Sequence, residues 1–480
     1  MEAFTGLLGI LALFGLAFLL SNNRSAINWR LVICGLSLQV MLALFILKLP
    51  LGQALFGAVG QGVEKLLSFA DAGGGFVFGP LVSDPDKMIE LFGPAGGFIF
   101  AFKLVPTIIF VSALVSIAYH TGLMQKVVKF VASLVYKLMG ASGSEALSNS
   151  ASVFVGQIEA QLLIKPYIAS MTQSELLASM AGSMACIAGG VMAVYIQLGV
   201  PAEYLLAASL MAIPGALVIS KIIYPETEAS NTRGDVKLSI EKQSVNLIDA
   251  AARGSSEGLK IGLNVCAMLI GFIALIACAD FVIALAGKSL VSIGAPSEIL
   301  GLNLSDLAIQ DILGTMFSGI AVILGVPAQD AMVVGSLMGT KMVVNEFVAY
   351  MNLSPLIAEG ALDPKSVLIA SFALCGFANF SSIAMQIGGI GEMAPSRKAD
   401  LARLGLKAMI CGTMASYVSA ALAGVLMSTG ESTGASYVLP LVGMAICAAI
   451  LMTANKLMVK PEDENNETTS EVVTTQPTPA

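Results

Sequence analysis

The sequence predicts an all-α polytopic membrane protein, and three observations carry that class. Mean hydropathy is +0.85 over 480 residues. Charged residues make up 12% of the chain, where a soluble protein of this size holds about 25%. Several apolar runs are long enough to cross a bilayer as helices. The net charge of -7 says little about partners, because much of the acidity lies after Lys460. Nothing basic enough for nucleic acid is present. The seven cysteines stand singly in apolar runs without a Cys-x-x-Cys spacing, which argues against metal or redox use and for small buried thiols. Forty-eight glycines suit close helix packing and broken helices.

Taken in order, residues 1–140 read as N-terminal spans and interfacial helices. The run 4–20 spans; Glu2 precedes it where a leader would be basic, and no small-residue cleavage pattern follows, so it reads as a retained helix. A second span covers 31–47. Residues 51–97 are glycine-rich with Asp71, Asp84, Asp86 and Glu90, in pieces expected to be too short or too charged to span and to lie at an interface. A third span covers 98–119, and His120 follows as a polar cap at the membrane boundary. An amphipathic helix is expected over 125–139.

Residues 141–224 form a first half: a hairpin-sized segment, then two helices, the first broken at Gly189-Gly190. Residues 225–324 hold a polar loop with Arg233, Lys237, Lys242 and Arg253, a span over 259–286 and an irregular connection over 288–313. Residues 325–391 form a second half, ending in an apolar run broken around Gly376-Phe377-Ala378-Asn379. Residues 392–457 carry a charged stretch and two spans, 408–427 and 437–457. The polar, acidic tail 458–480 is expected to be disordered. Basic residues in loops 21–30, 225–260 and 392–407, with Lys456 and Lys460, place the N-terminus outside and the C-terminus in the cytoplasm.

Each half carries an acid in an apolar setting: Glu159 within Gly156-Gln157-Ile158-Glu159, and Glu346 within Asn345-Glu346-Phe347. A charge at membrane depth costs about 2.5–3.5 kcal/mol on insertion scales, so a substrate or coupling ion is the first explanation. Structural pairing with Lys165 and Lys341 is the other. Glu159 precedes Gly189 by 30 residues, and Glu346 precedes Gly376 by 30. Paired interrupted segments mark an internally repeated transporter. Unwound backbone at membrane depth needs surrounding protein or an aqueous cavity, so the two breaks are expected to meet at one site. Two carboxylates, two amides and a phenyl ring there fit a polar ligand with vicinal hydroxyls and a flat ring. This chemistry alone leaves nucleoside, sugar and amino acid open.

Four stretches, in order, carry a resemblance: Gly156-Gln157-Ile158-Glu159-Ala160; the run from Pro214-Gly215-Ala216 to Tyr224-Pro225-Glu226-Thr227-Glu228; Asn345-Glu346-Phe347; and Cys375-Gly376-Phe377-Ala378-Asn379-Phe380-Ser381-Ser382. Over 98–427 the chain resembles the concentrative nucleoside transporters. The resemblance implies an inverted-repeat homotrimer in the bilayer of the bacterial inner membrane, each protomer a scaffold plus a mobile elevator domain. It implies re-entrant hairpins near 143–170 and 325–353 and broken helices near 174–198 and 366–390. Carried over position by position, Gln157 contacts the nucleobase and Glu159 the ribose hydroxyls. Glu346, Asn379 and Ser382 complete the ribose grip, and Phe377 lines the pocket.

Three departures stand out. Ile158 replaces the family's usual Thr or Ser beside the base, and Gln161 stands where Pro is usual. Ser152 takes the place of an Asn found in sodium-coupled members, and Gly190 that of a Ser. Sodium ligands are then expected from Ser152 and from the backbone around Val155, Gly190 and Val191. No other cofactor is implied, and the coupling ion is read as sodium, with a proton through Glu159 or Glu346 as the alternative. A nucleobase carrier is the rival within the class. A membrane enzyme built on the two acids is the rival outside it, opposed by the lack of a metal cluster, nucleophile elbow or phosphate-binding glycine loop in the sequence.

Overall fold

The structure, a computed structural model, describes residues 2–92, 99–232, 244–294, 296–299, 302–428 and 438–456. The N-terminal part comprises α1 (Glu2–Leu19), α2 (Trp29–Lys48), α3 (Pro50–Phe78), α4 (Pro80–Ser83), α5 (Pro85–Phe92), α6 (Phe100–His120) and α7 (Leu123–Met139). The first half follows with α8 (Gly143–Ser152), α9 (Glu159–Leu162), α10 (Lys165–Ile168), α11 (Gln173–Ala185), α12 (Gly189–Gln197) and α13 (Ala202–Ile223). Then come α14 (Leu247–Ser292), a two-residue strand pair Glu298–Ile299 and Leu302–Asn303, and α15 (Ile309–Ile323). The second half is α16 (Ala331–Val343), α17 (Glu346–Ala358), α18 (Pro364–Leu374), α19 (Phe380–Met393) and α20 (Lys398–Ser428), and α21 (Val438–Lys456) closes the described chain. Among the described residues, six helices are long and apolar enough to cross a membrane.

The two halves repeat one order of elements: a helical hairpin, a helix in two pieces, and a long closing helix, α13 or α20. The hairpins and broken helices stand where the sequence places them, α8–α10 and α16–α17, then α11–α12 and α18–α19. The first break lies at Cys186–Ala188, a few residues before the expected Gly189-Gly190, which instead open α12. Gly376 lies inside the second break at φ 123°. A methyl on it would come within 2.7 Å of the carbonyl oxygens of Met184 and Ala185. Only glycine combines that backbone conformation with so close an approach, and the two breaks meet across it.

Two expectations need correction. Residues 51–78 are not short interfacial pieces but part of one 29-residue helix, α3. Its glycines do not interrupt it, because the face holding Gly60, Leu67, Ala70 and Gly74 is buried. The span expected over 259–286 is the middle of a 46-residue helix, α14. Gly254, Gly258 and Gly262 repeat every four residues and let α14 lie directly against Ser112, Ile109 and Val105 of α6. The loop residues Arg233, Lys237 and Lys242 and the tail 458–480 lie outside the described residues.

Capping explains the starts of the functional helices. Ser142 and Glu145 form a capping box on α8, and Thr172 and Glu175 form one on α11. Lys221 of α13 pairs with Glu145 and, at 3.3 Å, with Glu226, which also accepts from Thr172 Oγ1 at 2.8 Å. The run from Pro214 to Glu228 therefore ties two helix starts to the closing helix. In the second half, the Asp363 N–H donates to Asp330 Oδ2 at 2.9 Å, joining the starts of α16 and α18. His120 bonds Ser244 Oγ through Nδ1 at 2.7 Å, as a boundary cap does.

Candidate functional site

Asparagine caps build the second-half wall. Asn345 caps α17 through its Oδ1, accepting from the Val348 N–H at 2.9 Å, and so makes Glu346 the first residue of the helix. A carboxylate there faces the positive end of the helix dipole. Asn379 caps α19 in the same way, accepting from the Ser382 N–H at 2.9 Å. A backbone N–H can only donate, so this bond fixes Asn379 Oδ1 and turns its amide nitrogen outward. That nitrogen donates to Glu346 Oε2 at 3.1 Å. The hydroxyl of Tyr195, on α12 of the first half, donates to Glu346 Oε1 at 3.1 Å. Tyr195 is itself fixed by stacking on Tyr350 at 4.2 Å between ring centroids. Glu346 is thus 5% exposed with a donor on each oxygen.

Gln157 crosses between the halves. It lies in the unwound stretch between α8 and α9, and its Nε2 donates to Ser382 Oγ on α19 at 3.3 Å. Behind it stands Gln386, fully buried, whose Nε2 lies 3.2 Å from the Met180 carbonyl, 3.0 Å from Ser183 Oγ and 3.4 Å from Gln157 Oε1. The carbonyl accepts only, so it sets the Gln386 amide, and the Gln386 N–H faces the Gln157 oxygen. Gln157 is left presenting its N–H₂ toward Ser382. Gln161 extends the network, donating to Ser183 Oγ at 3.2 Å and accepting from Ser179 Oγ at 2.7 Å. Its amide anchors the hairpin to α11 by hydrogen bonds where proline, with no side-chain donor, could make none.

The remaining expected positions are spread around this cluster. Phe377 is half-buried at the second break. Glu159 is exposed, unlike the buried acid expected from its apolar setting, because it opens the short helix α9 and its carboxylate folds back over Gly156. Ile158 packs toward α19, where a methyl on Gly389 would come within 2.7 Å of its side chain. Pairing of the acids with lysines is absent among the described residues: Lys165 is exposed, and Lys341 donates to backbone carbonyls instead.

Of the positions read as cation ligands, Ser152 ends α8, with its hydroxyl donating to the Ser148 carbonyl at 2.8 Å. Val155 lies in the unwound stretch, whose Phe154 carbonyl accepts from the Gly189 N–H at 3.3 Å. Gly190 and Val191 fall in the first turn of α12, where carbonyls run into the helix. The carbonyls of Cys186 and Ile187, between the two pieces, accept no hydrogen bond among the described residues. Tyr195 and Gln386 were not legible as site residues from the sequence, although Gln386 lies four residues after Ser382 and so on the same helix face.

Family models described as Na+ dependent nucleoside transporter N-terminus, Nucleoside recognition, and Na+ dependent nucleoside transporter C-terminus match residues 8–81, 101–202 and 204–424. An uncharacterized transporter, YutK, of Bacillus subtilis is 44% identical over 89% of this chain and 100% of its own length. The nucleoside permease NupC of Helicobacter pylori is 38% identical over 87% of this chain and 96% of its own. The solved structure of CNTnw in an inward-facing substrate-bound state is 40% identical, with a TM-score of 0.82 over 90% of this chain and 100% of that one. The chain is a helical membrane transporter, not an enzyme, and it belongs to the concentrative nucleoside transporter family.

Proposed function

We propose that this protein is a sodium-coupled symporter that imports nucleosides across the bacterial inner membrane. The observation that carries the reading is the bond between Gln157 Nε2 and Ser382 Oγ, which puts the base-reading hairpin beside the ribose-reading wall of Glu346, Asn379 and Ser382. In this reading Gln157 meets the base edge, with Ile158 and Phe377 as the apolar walls of the pocket. Glu346 and Glu159 accept from the ribose hydroxyls. The carbonyls of Cys186 and Ile187, which take no donor among the described residues, favour sodium as cargo. Exposed Glu159, with no donor among the described residues, keeps a proton as the second reading.

The sodium would be held by oxygens of Ser152 and Val155 and by the carbonyls at the first break. The hairpins α8–α10 and α16–α17 would be re-entrant and move with the broken helices as an elevator, against a scaffold drawn from residues 1–140 and 225–324. The long, outward apolar length of α14 suits a place in a homotrimer or against lipid. The N-terminus would lie outside and the C-terminus in the cytoplasm.

The test is uptake of labelled uridine and adenosine into proteoliposomes under separate sodium and proton gradients. Accumulation under the sodium gradient alone supports the reading. Accumulation under the proton gradient alone transfers it to proton coupling, and uptake indifferent to both contradicts symport.

A further inference from the structure

The two breaks differ in what meets their freed carbonyls. At the second, the Lys341 ammonium, carried on hairpin helix α16 and 1% exposed, donates to the Ala373 carbonyl at 2.8 Å and lies 3.5 Å from that of Cys375. Ser416 Oγ also donates to Cys375 O at 2.6 Å, and the Tyr417 ring centroid lies 6.0 Å from the ammonium. No carboxylate lies within ion-pair distance of Lys341 among the described residues. A buried ammonium without a carboxylate is rarely kept for stability alone. Here it is placed at the negative end of the α18 dipole, on carbonyls that the break deprives of helical partners.

The first break is built alike and lacks the ammonium. Its C-cap is Cys186, as the second C-cap is Cys375, and the two thiols flank Ser209 of α13. Helix α8 and the turn after it, residues 143–158, contain no lysine or arginine, and the one lysine of this hairpin, Lys165 on α10, is exposed. The Cys186 and Ile187 carbonyls have no donor among the described residues, while Cys375, the counterpart of Cys186, accepts from Lys341 and Ser416.

We propose that Lys341 is a tethered cation, filling at the second break the position that the coupling cation takes at the first. This rests on the cation-coupled reading above. With that position filled, a single cation position is left, at the first break. The transporter therefore carries one cation per nucleoside, and the second half cannot accept another.

The test is the charge moved per labelled uridine in proteoliposomes under a sodium gradient. Wild-type protein and Lys341→Arg should each move about one charge per uridine. Lys341→Met should move about two and show a steeper sodium dependence, because the vacated carbonyls then recruit a second ion. A wild-type ratio of two overturns the proposal, and so does a Lys341→Met protein that transports at a ratio of one. If Lys341→Met does not give a monodisperse protein, the wild-type and Lys341→Arg ratios decide: about one for both supports the proposal, and two for either overturns it. Uridine uptake with no accompanying charge refutes the cation-coupled reading itself, a result separate from either ratio.

Discussion

The two halves share an order of elements and differ in how far they are already satisfied. In the second, Glu346 receives Tyr195 and Asn379, Asn345 and Asn379 cap their helices, and Lys341 meets the carbonyls of the break. In the first, Glu159 is exposed and the carbonyls of Cys186 and Ile187 take no donor among the described residues. Hairpin turns follow suit: two residues, Val344 and Asn345, separate α16 from α17, whereas six, 153–158, separate α8 from α9. The second half is satisfied at its carboxylate and at Ala373 and Cys375 of its break, although Gln386 Oε1 has no partner among the described residues. The first offers the unfilled polar groups, which is where a cargo ion and a nucleobase gain most by binding.

That contrast can be broken at graded points. Glu346→Gln removes a charge held by two donors, each bond to a charged group contributing about 1.5–3 kcal/mol. Uridine transport is expected to fall about 100-fold, measured as initial uptake rate, and a fall of only a few-fold would make Glu346 structural. Glu159→Gln, with no donor to lose among the described residues, should reduce substrate affinity more than thermal stability. Gly376→Ala forces a side chain into the crossing of the two breaks and should lower stability by about 1–3 kcal/mol, read as a lower Tm of the purified protein. An unchanged Tm would mean the breaks do not meet as described.

Gln386→Met keeps the volume and frees the Gln157 amide. Apparent uridine affinity is expected to weaken about tenfold with protein level unchanged, because one neutral hydrogen bond that orients the base reader is lost. The smallest effect is expected from Ile158→Thr, which exchanges contact with Gly389 for a hydroxyl near the base edge. The uridine-to-adenosine uptake ratio should move by about threefold, and an unchanged ratio would place Ile158 outside base selection.

The sequence disclosed the halves because charge and glycine are conspicuous in apolar surroundings. Glu159, Glu346 and the run Gly376-Phe377-Ala378-Asn379 could be picked out, and both hairpins and both broken helices were placed from them. It did not disclose which oxygens and nitrogens face one another. Tyr195 looks like any tyrosine in an apolar run until folding brings it across to Glu346, 151 residues away in sequence. Lys341 reads as a counter-ion for Glu346, and only the fold turns it onto carbonyls. The glycines and acids of helix α3 suggest interruption in the sequence, while burial along one face holds it continuous. The first break was placed slightly late because a glycine pair attracts attention, whereas the unwinding begins at Cys186, with no glycine at all.

The most direct test of the contrast between the halves is equilibrium binding of uridine to purified protein across a range of sodium concentrations at constant ionic strength. Linkage makes the slope of log affinity against log sodium equal to the number of sodium ions taken up with the nucleoside while their site is unsaturated. One unfilled cation position in the first half and a lysine-filled one in the second predict a slope near one. A slope near zero, or near two, contradicts that assignment.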